Sequence, residues 1–273
     1  MTISDAHKKR LITASVLFAL LAIGIAGGGW LLRLMVLVVS CLTLYEFYNL
    51  FWPLGMEEGR KRFGLTLGGL LVIAQAGGAA WSLAAVCLCF SAVGIAFLFD
   101  YGHGNTESRL GQFGPLLYGL LYIPLVLQLA LYLSPSEQFL VVLAAVASDS
   151  GGFYAGTLFG RHKLWPSVSP NKSWEGFYGG MALCVVWCLV FGLLGNSQGW
   201  SLVSLSAWEW ILTGVLLYLA SVGGDLFESA LKRSMQIKDS GSILPGHGGM
   251  LDRLDSLLFV IPAYMALRLM FGA

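Results

Sequence analysis

Charge is what this sequence has least of. Asp, Glu, Lys and Arg make up 11% of its 273 residues, where an ordinary soluble domain carries about a quarter. The signs nearly cancel, 16 Lys and Arg against 15 Asp and Glu for a net charge of +1, so there is no broad basic field to draw in nucleic acid. Five cysteines are present, Cys41, Cys87, Cys89, Cys184 and Cys188, all inside apolar stretches. Cys184 and Cys188 share a helical face, but no His or Asp stands near them, which argues against a thiolate metal site. Nothing in the spacing suggests a disulfide framework. Packing is their expected role. No repeat period or low-complexity tail breaks the chain into modules.

What is abundant is apolar surface: 57% hydrophobic residues and a mean hydropathy of +0.75. A span needs about 20 mostly apolar residues to cross the bilayer, and about nine runs qualify: 11–29, 30–51, 64–80, 81–99, 112–133, 138–160, 173–195, 208–230 and 252–271. The expected fold is therefore an all-α, polytopic integral membrane protein forming a single membrane domain. Its halves would be N-terminal transmembrane helices, 1–140, and C-terminal catalytic helices with cytoplasmic loops, 141–273. The N-terminal "MTISDAHKKRLITASVLFALLAIGIAGGG" has the basic start and apolar run of a secretory signal. The run is long, lacks a convincing Ala-x-Ala site and leads almost directly into the next, so a retained helix is expected. Gly27 to Gly29 and Gly77 to Gly78 suggest tight hairpins.

Basic residues set the orientation, because positively charged loops stay cytoplasmic. With the N-terminus inside, Lys8, Lys9, Arg10, Arg60, Lys61, Arg62, Arg109, Arg161, Lys163, Lys172, Lys232, Arg233 and Lys238 all fall on the inner side, 13 of the 16 basic residues. Outward joints such as "SPSE" hold none. Trp30, Trp81, Trp200, Trp208 and Trp210 mark outer ends and Trp52, Trp165 and Trp174 inner ones, as interfacial anchors would.

Acids inside spans are costly. Glu46, Asp149, Asp225 and Glu228 are such acids. Glu46 alone reads best as half of a buried ion pair that orders the bundle. Asp225 and Glu228 share a helix face, and Lys232 can pair with Glu228 at i,i+4. Asp252 and Asp255 open the last span, where one acid could cap the helix. Capping does not explain two acids flanking Arg253, preceded by "GHGG" and facing Asp239.

Topology puts Asp149, Asp225, Asp252 and Asp255 in or next to the cytoplasmic half. Grouped carboxylates repel unless a cation sits among them, and an oxygen-rich set with room for phosphate and water suits Mg2+. Lys163, Lys172, Lys232, Arg233, Lys238 and Arg253 would meet a phosphorylated ligand. Gly246, Gly248 and Gly249 permit close backbone approach to it.

"SALKRSMQIKDSGSILPGHGGMLDRLDS", Ser229 to Ser256, resembles the C-terminal motif of the phosphatidate cytidylyltransferases, or CDP-diacylglycerol synthases. Ser229, Lys232, Arg233, Lys238, Asp239, Gly241, Pro245, His247, Gly248, Gly249, Asp252, Arg253 and Asp255 stand at that family's spacing. "SPNKSWEG", Ser169 to Gly176, and "DSGGFYAG" from Asp149 are similar to two further family elements, with Gly152 and Phe153 where Ala and Tyr are common. The resemblance covers roughly 145–260 and is generic before that. It implies transfer of a cytidylyl group from CTP to phosphatidic acid for phospholipid biosynthesis, an Mg2+ requirement, and a homodimer in the bilayer. Localisation to a bacterial inner membrane with a cytoplasmic active site fits the charge bias. The resemblance also implies Asp225 and Asp252 as metal ligands, with Asp255 and Asp239 close by.

A lipid phosphate is already a nucleophile, so positioning and charge neutralisation should dominate. Lys172 and Arg253 are the expected catalytic cations, and His247 is either an acid, a phosphate donor or part of the turn's geometry. Lys232, Arg233, Lys238, Asp239, Ser169, Asp149, Gly248 and Gly249 are the expected substrate-contacting residues. Two other classes share some of these features. An ion-coupled transporter would place its acids near the midplane, between symmetric helix breaks, and a CTP-dependent lipid kinase would release CDP.

Overall fold

The computed structural model describes residues 15–16, 18–102, 110–198, 205–241, 243 and 248–271. Helices dominate: α1 Phe18–Gly27, α2 Gly29–Phe51, α3 Glu58–Ala74, α4 Ala79–Gly102, α5 Gly114–Tyr122, α6 Pro124–Leu129, α7 Pro135–Phe159, α8 Trp174–Gln198, α9 Ala207–Ser234, α10 Leu251–Leu254 and α11 Leu257–Met270. Among the described residues, six stretches are long and apolar enough to cross a membrane: Gly29–Phe51, Ala79–Gly102, Leu110–Tyr132, Pro135–Phe159, Trp174–Gly195 and Ala207–Ser234. The protein is thus a helical membrane protein. Of the other stretches the sequence predicts as spans, α3 has 17 residues and begins with Glu58, Arg60, Lys61 and Arg62, and α11 has 14.

Local chemistry explains the breaks. Gly28 and Gly29 have φ of 53° and 46°, which separates α1 from α2 at the predicted glycine joint. The 112–133 run bends at Ile123, where Pro124 cannot donate to the preceding turn. Capping boxes start α7 and α9, with Ser134 paired to Glu137 and Ser206 to Glu209. An antiparallel hairpin, β1 Lys163–Trp165 and β2 Ser169–Ser173, joins α7 to α8 and adds a small sheet to the expected all-helical fold.

The chain forms two compact units. One comprises the described residues through Leu131 together with Asp239–Asp252. In it, the Tyr48 ring fits between two glycines: a Cβ on Gly64 would lie 2.5 Å from Tyr48 Cε2, and one on Gly119 would lie 2.7 Å from Cε1. The Tyr48 hydroxyl donates to the Leu116 carbonyl at 3.2 Å, so even this buried phenol is satisfied. Lys61, fully buried, donates to Asn49 Oδ1 (2.8 Å), Glu58 Oε1 (2.9 Å) and the Pro53 carbonyl (3.2 Å).

The other unit comprises Tyr132–Lys238 and the residues from Arg253 onward. Here α7 and α8 meet backbone to backbone. A Cβ on Gly151 would lie 2.8 Å from the Gly179 carbonyl oxygen, and one on Gly176 would lie 2.7 Å from that of Gly152. Helix α11 is pinned to α7 by Arg268 Nε, 3.1 Å from Glu137 Oε1, to which the Tyr264 hydroxyl also donates at 3.1 Å.

Candidate active site

The close approach of α7 and α8 fixes the hairpin between them, and the hairpin presents Lys172. Glu175, at the start of α8, accepts the backbone amides of Arg161 (3.1 Å) and His162 (3.2 Å) and bonds His162 Nδ1 at 2.6 Å, tying the base of the hairpin to the helix. Lys172 Nζ then sits 2.6 Å from Asp225 Oδ2 on α9. Asp225 Oδ1 accepts the Ser229 hydroxyl one turn along at 3.2 Å. Both ends of the Lys172 pair keep partial solvent access, 22% and 33% of their side chains.

The pair opens onto a cavity of about 620 Å3 lined by Asp149, Ser169, Asn171, Lys172, Tyr218 and Asp225, among others. Three of the sequence-predicted elements therefore converge within one unit. Asp255, in the turn between α10 and α11, interacts electrostatically with Asp225 and Asp149, and Lys172 and Arg253 act on Asp149 with the opposite sign. Like charges so grouped call for compensating cations. The turn that bears Asp255 passes directly against Gly224: a Cβ there would overlap the Asp255 carbonyl oxygen, and the Ser256 hydroxyl donates to the Ser221 carbonyl at 3.3 Å.

Asp252 lies in the other unit. It stands inside α10 instead of capping it, and its carboxylate folds back on the preceding loop. Oδ2 accepts the amides of Gly249 (2.9 Å) and Ser240 (3.2 Å). Gly248 has φ of +80°, and a Cβ on it would lie 2.9 Å from Asp252 Oδ2, so this position needs glycine on both counts. The loop amides thus organise the carboxylate, which goes beyond the helix cap that sequence spacing suggests.

Lys232 pairs with Glu228 at 2.7 Å, the i,i+4 contact expected from sequence. Arg233, Lys238, Asp239 and Arg253 are exposed. His247, Pro245 and Gly246 of the motif lie outside the described residues, as do Lys8, Lys9, Arg10, Arg109 and Trp200. Among the described residues, no group of three or more His, Cys, Asp or Glu is arranged to hold a metal. Asp149, Asp225, Ser169 and Ser173 contribute oxygens to the cavity, the donor type that suits a hard divalent cation, and the Lys172 ammonium stands among them, 2.6 Å from Asp225.

Glu46 departs from expectation. Its partner is the Leu251 backbone amide, which donates to Oε2 at 2.9 Å, where the sequence predicts a cation. Sequence patterns also do not mark Glu175 as a clamp. The amides it accepts belong to Arg161 and His162, 14 and 13 positions earlier, so no local spacing announces the contact.

Compared with known proteins, residues 8–271 match the model of the cytidylyltransferase family. The chain belongs to the cytidylyltransferase family. Among its relatives is a phosphatidate cytidylyltransferase of Mycobacterium bovis, 41% identical over 133 residues, or 48% of this chain and 41% of that protein. One from Mycobacterium tuberculosis is 41% identical over 133 residues, 48% of this chain and 38% of the relative. Another, from Staphylococcus aureus, is 42% identical over 184 residues, 66% of this chain and 56% of the relative. The chain thus spans about half the length of the curated relatives it matches.

Proposed function

We propose that this protein transfers the cytidylyl group of CTP to phosphatidic acid, giving CDP-diacylglycerol and pyrophosphate. The observation that carries the reading is the Lys172–Asp225 pair in the wall of a largely apolar cavity that also takes Asp149, Ser169 and Asn171, on segments that resemble the cytidylyltransferase motifs. A phosphatidate oxygen attacks the α-phosphorus of CTP, a new P–O bond forms, and the bond to the β-phosphate breaks to release pyrophosphate. No covalent enzyme intermediate is needed.

In this scheme Lys172, Arg253 and Lys238 offset the triphosphate charge, and Gly248 and Gly249 let the loop backbone come close to phosphate. Ser169 and Asn171 offer neutral polar groups to the substrate from the cavity wall. Lys232, engaged by Glu228, sets the charge balance of α9 beside the site. The family resemblance points to Asp225 and Asp252 as the residues that would hold Mg2+. Bound there, the ion would polarise the α-phosphate and stabilise the leaving pyrophosphate. The excess of basic residues on the segments assigned inside supports a bacterial inner membrane with the site facing the cytoplasm. A homodimer is proposed from the family resemblance.

The test uses CTP labelled at the α-phosphate with phosphatidate and Mg2+ in detergent. Label should enter the lipid fraction, and Asp225→Asn and Asp252→Asn should each lower that rate by on the order of 10² or more, since Asn keeps the shape and removes the charge. Label recovered as soluble CDP would instead mark a lipid kinase. Wild-type rates in either Asn variant would overturn the site.

A further inference from the structure

Glu46 lies on α2, far in sequence from the motifs, and is 2% exposed. A carboxylate so placed is costly unless it is well bonded. Its Oε2 accepts the Leu251 amide at 2.9 Å across 205 positions of sequence. The motif loop also rests on the same side chain at two glycines. A Cβ on Gly241 would lie 2.5 Å from Glu46 Oε1, 2.8 Å from Cδ and 3.0 Å from Cγ, and one on Gly249 would lie 2.7 Å from Oε2. Loop backbone at 241, 249 and 251 therefore seats on one carboxylate.

The residue after Leu251 is Asp252, whose own carboxylate takes the amides of Ser240 and Gly249 from the same loop. The two acids grip one loop, Glu46 from the α2 side and Asp252 from within. We propose that Glu46 is a positioning residue: it holds the backbone at Gly241, Gly249 and Leu251 in place and so sets where the neighbouring Asp252 carboxylate points. The inference rests on the proposed function, because it matters to turnover through Asp252 as a metal ligand. It also explains why the loop carries glycine at 241, a position with no positive φ to demand it. All three atoms nearest a Cβ there belong to Glu46.

The test combines hydrogen exchange of the full-length protein in detergent with turnover at varied Mg2+. In Glu46→Ala, the peptide containing Leu251 should exchange roughly tenfold faster while exchange in α7 stays unchanged. The Mg2+ concentration for half-maximal turnover should rise about 10-fold or more, as happens when a group behind a metal ligand is lost. A general folding defect would lower the amount of active protein and leave that concentration where it was. Glu46→Gln keeps an acceptor for the Leu251 amide and should restore both readouts to within about threefold of wild type. Gly241→Ala should be harmful alone and add little in the Glu46→Ala background, because the clash it creates is with Glu46. Unchanged Leu251 exchange, or unchanged Mg2+ dependence, in Glu46→Ala overturns the proposal. If Asp252→Asn keeps full turnover, the metal-ligand reading fails instead, and exchange at Leu251 still decides whether Glu46 seats the loop.

Discussion

Alanine at Gly223 and at Gly224, adjacent on α9, should change stability with opposite sign. At Gly224 a new Cβ would overlap the Asp255 carbonyl oxygen and lie 3.1 Å from both the Asp255 carbonyl carbon and the Ser256 Cα. All three are backbone atoms, so no side chain can rotate away, and either α9 or the turn must shift. Such overpacking costs about 1–3 kcal/mol, offset by about 0.5–1 kcal/mol because alanine is the better helix former. The net expectation for Gly224→Ala is a loss centred on about 1 kcal/mol and reaching about 2.5 kcal/mol. At Gly223 the nearest atom to the new Cβ is Phe259 Cδ1 at 3.8 Å, an ordinary contact. There only the propensity gain remains, about 0.5–1 kcal/mol of stabilisation. Thermal melts of the two variants beside wild type in one detergent give the comparison, and turnover should fall in Gly224→Ala, which sits next to Asp225. Equal melting temperatures for the two variants would refute the close approach of α9 to the Asp255 turn.

Arg268→Ala should destabilise by about 3–5 kcal/mol, since it strands the fully buried Glu137 without its cation; melts of the single variant against Arg268→Ala with Glu137→Gln, which should recover part of the loss, check this. Lys61, 2.9 Å from Glu58, holds that carboxyl below its ordinary value of 4.5 by a side-chain hydrogen bond. The folded state therefore binds fewer protons there, and the pair's contribution is present above 4.5 and lost as pH falls through the folded value. The melting difference between wild type and Glu58→Gln should accordingly be largest near neutrality and close on acidification; a difference that is constant with pH contradicts the pairing.

Much of this molecule is legible in its sequence, for identifiable reasons. Spans such as α4 and α8 follow from long apolar runs, and the breaks at Gly28 and Ile123 from backbone chemistry that glycine and proline announce. The Lys232–Glu228 pair follows from helical spacing alone. The β1–β2 hairpin escapes such reading because it consists of 3 and 5 residues, too short for an alternating pattern to emerge. Glu46 escapes for a different reason. A backbone amide leaves no trace in side-chain identity, so a buried acid in an apolar helix points to a missing cation when its partner is a peptide N–H 205 positions away. Asp252 illustrates a third limit: spacing puts it at a helix start, but its carboxylate turns backward onto Ser240 and Gly249.

The glycine contact between α7 and α8 bears on how the protein responds to its solvent. Helices separated by a layer of side chains can slide as rotamers adjust, and spans accommodate a thicker or thinner bilayer largely by tilting. With Gly151 against Gly179 and Gly152 against Gly176, these two have no such layer to shear. They must lean together, carrying Asp149 on one and the Lys172 hairpin between them as a single body. Lipid composition can therefore change the inclination of this pair while leaving the spacing of its charged groups as it was.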